Sequence, residues 1–384
     1  MNRDLRLVAV ALFVWGIGEG LFYYFEPLYL QELGANAVQI GAILGLLGLA
    51  MAIGHTPAGY LADRLGRRPL IWTAFIVGVF SIWMMALASG LTFFVIGLLI
   101  YGWTYCLMAP LNAYITAARG NMNLGRALML ISASFNLGMV IGPFMGGIIG
   151  ERLGLRQVFL VSALIVTLAT VLIFFISPQP VDPPDPGVKC TRLLRDKKLV
   201  MYFPLVLLAA FATYLPMPLS QNFLFNERGV SISQVGILTS LTGLGTVVLG
   251  LALGFIQERH GYLISQAAVG CFALAIWQGT GLPWFALGYF LLGGWKTTRS
   301  LAAAQVKELV PASAIGFAFG LNETVGSTAT ILAPPLAGLL YASRPDLVYI
   351  FSLGMILLSI ILGSRFLPRP ASTSFAEAHS SPGG

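Results

Sequence analysis

The sequence predicts an all-α integral membrane protein whose twelve transmembrane helices form two pseudo-symmetric six-helix bundles. Three observations carry that expectation: the composition, a series of twelve apolar runs, and a repeat of the first half within the second. Of 384 residues, 57% are hydrophobic and only 10% are charged, whereas an ordinary soluble domain has about 25% charged residues. The mean hydropathy is +0.83. Most of such a chain belongs in lipid.

A spanning helix needs about 20 apolar residues, and Gly, Pro and polar clusters divide the chain into such runs at 7–30, 37–59, 69–89, 91–116, 127–149, 158–177, 199–225, 233–256, 263–281, 283–306, 313–341 and 347–366. The first run follows Met1–Arg6 directly and has no small-residue cleavage site, so it is expected to remain as a helix. With the N-terminus inside, the inner loops carry sixteen Lys and Arg, and the outer loops only Arg152, Arg156, Arg228 and Arg344. This positive-inside bias predicts a multi-pass protein of the inner (plasma) membrane with both termini cytoplasmic. The net charge of +7 is thereby an orientation signal and not a nucleic-acid footprint. Cys106, Cys190 and Cys271 stand at no metal or redox spacing, and no metal or other cofactor is expected.

The one long polar connection, 178–198, is rich in Pro and ends in basic residues that suit anionic lipid headgroups. It divides the chain into an N-terminal bundle (1–177), a cytoplasmic linker (178–198), a C-terminal bundle (199–366) and a disordered tail (367–384). The halves repeat at a constant offset of 195 residues: Gly34 matches Gly229, Gln39 Gln234, Gly41 Gly236, Gly48 Gly243, Gly59 Gly254, Asp63 Glu258, Arg64 Arg259 and Gly66 Gly261. An internal repeat of half an all-helical membrane chain is a mark of transporters with a central site.

Two motifs interrupt the apolar pattern. Between the second and third runs lies Gly59–Leu70, GYLADRLGRRPL, with a weaker copy, GFIQERHG, starting at Gly254. Gly59 permits close helix approach, Gly66 a tight turn, and Asp63 can accept from Arg67. In the fifth run, GMVIGPFMGG places Gly138, Gly142 and Gly146 on one helix face, while Pro143 removes a backbone hydrogen bond and Gly147 follows. Close packing and a hinge are both open readings of that face.

Through these motifs the whole transmembrane region resembles the major facilitator superfamily, and GMVIGPFMGG is similar to a motif of its proton-coupled drug antiporters. The resemblance implies a central cavity lined by helices one, four, seven and ten. It also implies a cytoplasmic gate built from Gly59, Asp63, Arg64, Gly66 and Arg67 with Gly254, Glu258, Arg259 and Gly261, Asp63 facing the start of helix eleven near Ser313. One departure stands out: the Arg those antiporters carry in helix four before a Gly is absent, the position near Leu98 being apolar.

Ionisable residues inside a membrane are costly and mark a pathway or a pair. Five qualify: Glu19, Glu26, Lys296, Arg299 and Glu323. Glu19 and Lys296 each lie about thirteen residues into their runs, near the midplane at about 1.5 Å per residue, and come from opposite halves. They are expected to form a contact for which substrate or a proton competes, or a static pair. Arg299 and Glu323 are expected to pair with each other. Glu26, before Pro27, reads as a solvated residue at the outer mouth. Two cations on helix ten, without counterparts at Thr104 and Leu107, suit an anionic or zwitterionic headgroup. Tyr23 and Tyr214, the latter the repeat mate of Glu19, are candidates to line an amphipathic cavity.

No GxxxxGK[ST] loop and no soluble nucleotide domain occur, so the energy source must be a gradient. The leading expectation is a monomeric secondary transporter, not an enzyme, that exports a small amphipathic or anionic solute by alternating access with proton coupling through Glu19 or Glu323. Its partners are then a small molecule, protons and lipids, and no nucleic acid. The alternatives are uptake or facilitated diffusion of an organic anion, flipping of a lipid-like substrate, and, more remotely, an intramembrane enzyme or a receptor.

Overall fold

The computed structural model describes residues 2–179, 197–310 and 315–367; within these, the side chains of 54–65, 106–109, 197–198, 200, 307–308 and 315–317 lie outside the description. Most of the linker, the tail, Ser313, and the side chains of Asp63 and Arg64 with the surroundings of Gly59 therefore fall outside it.

Among the described residues, sixteen α-helices account for the twelve runs. Eight runs are single helices: α3 (Ala37–Leu65), α4 (Arg67–Leu87), α7 (Leu124–Leu153), α8 (Leu155–Ile173), α11 (Ile232–Gly254), α12 (Glu258–Gln278), α15 (Ile315–Ser343) and α16 (Leu347–Phe366). The other four are broken: α1 (Arg3–Tyr23) with α2 (Glu26–Glu32); α5 (Leu91–Gly102) with α6 (Met108–Ala118) across a 3-10 turn; α9 (Lys197–Tyr214) with α10 (Ser220–Arg228); α13 (Leu282–Leu292) with α14 (Gly294–Glu308). Among the described residues there is no strand, and α1, α4, α7, α8, α11, α12, α16 and Ala318–Ser343 of α15 are long and apolar enough to cross a membrane.

Four of the twelve predicted runs are interrupted, and the sequence supplies the causes. Pro27 opens α2, Pro216 and Pro218 fill the gap before α10, Pro110 follows the 3-10 turn, and Gly293 separates α13 from α14. Proline removes a backbone donor and crowds the preceding turn, and glycine weakens a helix. The broken runs are the first, fourth, seventh and tenth.

The repeat is visible at the level of capping. Gly34 and Gly229 both take positive φ, 93° and 64°, conformations that favour glycine. Two residues on, Asn36 caps α3 and Ser231 caps α11, each in a reciprocal box with Gln39 or Gln234. The matched glycines and glutamines thus restart the same helix in each half.

Packing within and between halves is done by backbone. A Cβ on Gly138, Gly142 or Gly146 would stand 2.4, 2.6 or 2.3 Å from the carbonyl oxygens of Phe13, Ile17 and Leu21, so α7 lies directly on α1. Across the halves, a Cβ on Gly236 of α11 would be 2.5 Å from the Pro143 oxygen of α7, and one on its repeat mate Gly41 of α3 would be 2.4 Å from the Pro334 oxygen of α15. Gly147 and Gly338, each four residues beyond its proline, face Gly236 and Gly41 in the same way. One seam is therefore rotated onto the other: α3 on α15, α11 on α7.

Pro334 and Pro335 leave the oxygens of Thr330 and Ile331 without helical donors, and these oxygens face Gly48 and Gly45, where a Cβ would come within 2.8 Å of each. The seams run from the 33–36 and 229–231 loop end toward mid-bundle. At the opposite end, Gly254 and Gly320 have nothing among the described residues within 4 Å of an added Cβ.

Gly236→Ala is expected to cost about 1–3 kcal/mol by overpacking the seam. Gly254→Ala, facing open space, should leave stability within about 0.5 kcal/mol. Thermal unfolding of the two purified variants in one detergent measures the difference, and equal melting temperatures would contradict the seam.

Candidate functional site

The central polar residues gather where the broken helices meet. Glu19 lies deep in α1 and is 5% exposed. Its Oε2 accepts from Trp15 Nε1 at 3.0 Å and its Oε1 from Tyr105 Oη at 2.6 Å. Trp15 lies one turn before Glu19 on the same face of α1, and Tyr105 is carried by the 3-10 turn. That turn presents the phenol to α1, so breaking the fourth run positions a ligand for Glu19. Trp15 is in turn fixed edge-on against Phe75, with ring centroids 4.5 Å apart, and stacked on Tyr101 at 6.5 Å.

Lys296, in the first turn of α14, comes from the other half. It lies within electrostatic reach of Glu19, yet among the described residues no ion pair joins them. In this structure the Glu19 carboxylate is occupied by neutral donors of its own half. The Lys296 side chain is half-buried, and its ammonium has no hydrogen-bond partner among the described residues.

Arg299, one turn further, donates from Nη2 to Glu323 Oε2 of α15 at 2.6 Å; the two side chains are 28% and 63% exposed. Arg299 also lies 6.0 Å from the Trp295 ring, and Trp295 is 5.6 Å from Tyr214. Tyr23 contacts Tyr24 edge-on at 5.2 Å, and Tyr23, Glu26 and Tyr214 lie within electrostatic reach of one another. The structure thus brings Glu19, Lys296, Tyr23 and Tyr214 to one region and sets the Arg299–Glu323 pair beside it on the α14–α15 side.

Glu26 departs from its reading as a solvated mouth residue: it is 3% exposed, and its Oε1 is buried with no hydrogen-bond partner among the described residues. The run breaks before Pro27, and α2, which Glu26 opens, packs on α10 of the other half. The only sequence signal was its place before a proline in an apolar run.

At the other end of the bundle, Gly66 joins α3 to α4 with φ 84°, a turn that favours glycine. Arg67 Nη1 donates to Gln179 Oε1 at 3.5 Å, and Gln179 Nε2 to the Tyr114 carbonyl at 3.0 Å. Arg68 lies 4.0 Å over the Trp72 ring. In the second copy, Glu258 opens α12 and Arg259 donates to the Ser364 carbonyl. Gly261 is helical and packs on Leu253 and Leu301, so it makes no turn equivalent to Gly66. Asp4, which sequence reasoning passed over, is buried and accepts from Ser177 Oγ at 3.1 Å, while Tyr114 Oη donates to the Ser177 carbonyl at 2.8 Å. Its only signal was an acidic residue inside a basic N-terminus. Among the described residues no cluster of His, Cys, Asp and Glu fits a metal ion.

Comparison with known proteins agrees with this architecture. The family model described as Major Facilitator Superfamily matches residues 8–217 and 202–382. The multidrug resistance protein MdtG of Citrobacter koseri is 24% identical over 402 residues, covering 98% of both chains. An uncharacterized MFS-type transporter of Methanocaldococcus jannaschii is 21% identical over 284 residues, covering 69% of this chain and 71% of its own. Among solved structures, a point mutant of the nucleoside transporter NupG superposes with a TM-score of 0.84 at 16% identity over 95% of this chain and 100% of its own. A bacterial homolog of the human lysosomal transporter Spinster, inward-facing and occupied, has a TM-score of 0.76 at 14% identity over 96% of this chain and 98% of its own. With the family model covering almost the whole chain and the fold matching throughout, the chain belongs to the major facilitator superfamily, a family of small-molecule transporters and not of enzymes.

Proposed function

We propose that this transporter exports a small amphipathic or anionic organic solute by alternating access, coupled to protons, through the region between Glu19 and Lys296. One observation carries the reading: at the junction of the halves, Lys296 presents an ammonium without a direct partner among the described residues, beside a carboxylate held by Trp15 and Tyr105. A cation without a direct partner among the described residues, in a region that also holds Trp295, Tyr214 and Tyr23, is complementary to an acidic group on an apolar body. The full-length likeness to proteins named for multidrug resistance supports export. Glu19 and Glu323 are the proposed proton carriers, Glu323 through exchange of its pairing with Arg299.

A second reading, facilitated diffusion or uptake of an organic anion, is favoured by the same geometry. Both Glu19 oxygens are engaged, so Lys296 alone can supply the binding charge. A thermal-shift screen of amphipathic acids, amines and neutral compounds tests the ligand class. Acids are expected to raise the melting temperature of the wild-type protein, and Lys296→Ala should abolish that rise. Stabilisation by amines that survives Lys296→Ala would overturn the assignment.

The coupling assignment is tested in proteoliposomes with an acid found by that screen. Glu19→Gln and Glu323→Gln, singly and together, should reduce uptake driven by a pH gradient at least tenfold while sparing counterflow without a gradient. Undiminished gradient-driven transport in the double variant would overturn the assignment of the coupling proton to Glu19 and Glu323.

The hydrogen bonds on Glu19 should also separate from the exposed pair in stability. Tyr105→Phe is expected to cost about 1.5–3 kcal/mol, the range for a hydrogen bond to a charged group. Glu323→Gln should cost about 0–1 kcal/mol, because solvent screens an exposed pair. Melting temperatures of the two variants at one pH measure the order.

A further inference from the structure

The seams between halves are made of backbone contacts, which have little directionality, but at the end of the bundle they approach there is also a polar contact. Gln31 of α2 and Asn226 of α10 exchange two amide hydrogen bonds, each of 3.0 Å. Asn222, one turn earlier on α10, donates to Gln31 Oε1 at 2.6 Å and to the Pro27 carbonyl at 3.1 Å. Asn226 also donates to Tyr341 Oη of α15 at 3.4 Å. Gln31 and Asn226 are separated by 195 residues, and so are Pro27 and Asn222. That separation is the offset of the internal repeat, so both contacts join repeat mates and lie on the pseudo-two-fold axis relating the halves.

We propose that Gln31, Asn222 and Asn226 form a neutral clasp that latches this face shut, and that its release is the step opening the cavity to this side. Three features make it a latch and not static packing. The clasp joins α2 and α10, the short outer pieces of two broken helices, which can part without unwinding α1 or α9. Its members are amides, and an amide pair exchanged for water loses only about 1 kcal/mol per hydrogen bond, so it biases the closed state without trapping it. Asn222, 1% exposed, keeps an Oδ1 with no partner among the described residues in the closed arrangement, a buried acceptor that an opened, hydrated face satisfies. The clasp lies one helical turn beyond Glu26, whose Oε1 is likewise buried and unpartnered.

The proposal is independent of the substrate and is tested without one. In protein lacking Cys106, Cys190 and Cys271, Tyr23→Cys reports access to the cavity by its labelling with a membrane-impermeant maleimide applied at the clasp face. When the open state is a minority, labelling rate follows its population. Gln31→Ala with Asn226→Ala, which removes the two exchanged bonds and the Asn222–Gln31 bond, is expected to raise the rate about a hundredfold. The exchanged pair Gln31→Asn with Asn226→Gln should return it to within about threefold of the parent. If the double alanine variant does not fold, Asn226→Ala alone, at an exposed residue, removes both exchanged bonds and should raise the rate about ten- to thirtyfold. Hydrogen exchange should quicken in 25–35 and 215–231 in the same variants. An unchanged labelling rate in folded alanine variants, or a rise that the exchanged pair does not reverse, would overturn the latch.

Discussion

The contact on which the molecule depends is a glycine laid against a proline carbonyl, made twice. Gly41 meets Pro334, and its repeat mate Gly236 meets Pro143, at distances no side chain would allow. Lipid supplies no hydrophobic force to drive two apolar helices together. Backbone-to-backbone approach is what remains, through dispersion, Cα–H to carbonyl contacts and the oxygens that prolines release from their own helices. Such a seam is tight but has few directional bonds, one being the Ser233 N–H donating to Glu151 Oε2 at 3.1 Å, which suits surfaces that must separate and re-form.

Given seams of that kind, the two halves hold the central charges differently. The N-terminal half fixes Glu19 between Trp15 and Tyr105, each anchored by aromatic packing. The C-terminal half leaves Lys296 without a direct partner among the described residues while engaging the neighbouring Arg299 with Glu323. A charge satisfied within one half costs nothing extra when the halves part. A charge left unsatisfied at their junction is the one a ligand can complete.

How far this was legible depends on whether a signal is local in the chain. The capping boxes at Asn36 and Ser231 and the turn glycine Gly34 with its mate Gly229 are set by neighbours a few residues apart, and the repeat displayed them. The glycines of the fifth run were readable as a face, while which neighbours they meet, Phe13 and Ile17 in one half and Gly236 in the other, depends on tertiary docking. The four helix breaks are hard to read from the sequence because Pro27, Pro110, Pro216, Pro218 and Gly293 sit inside apolar runs. Glu19 and Lys296 stood out as costly charges, but the ligands of Glu19 did not. Trp15 is one turn away in sequence, whereas Tyr105 arrives only through a 3-10 turn in another broken run. Glu26 and Asp4 were misjudged or missed because burial of a single carboxyl is decided by what packs over it.

The repeat is copied where the halves touch and abandoned where they enclose the cavity. Gly34, Gln39, Gly41 and Gly48 all have mates, and Gln31 bonds to its own mate Asn226. Glu19 is answered by Tyr214, and neither Lys296 nor Arg299 has a charged counterpart in the first half. A rocking motion needs its two contact surfaces to be equivalent, since each must release and re-form about one axis. Binding a single solute needs the opposite, because a ligand without two-fold symmetry is best met by unlike groups on its two sides. The same doubled chain meets both demands by keeping glycine, proline and amide positions paired and letting the charges diverge.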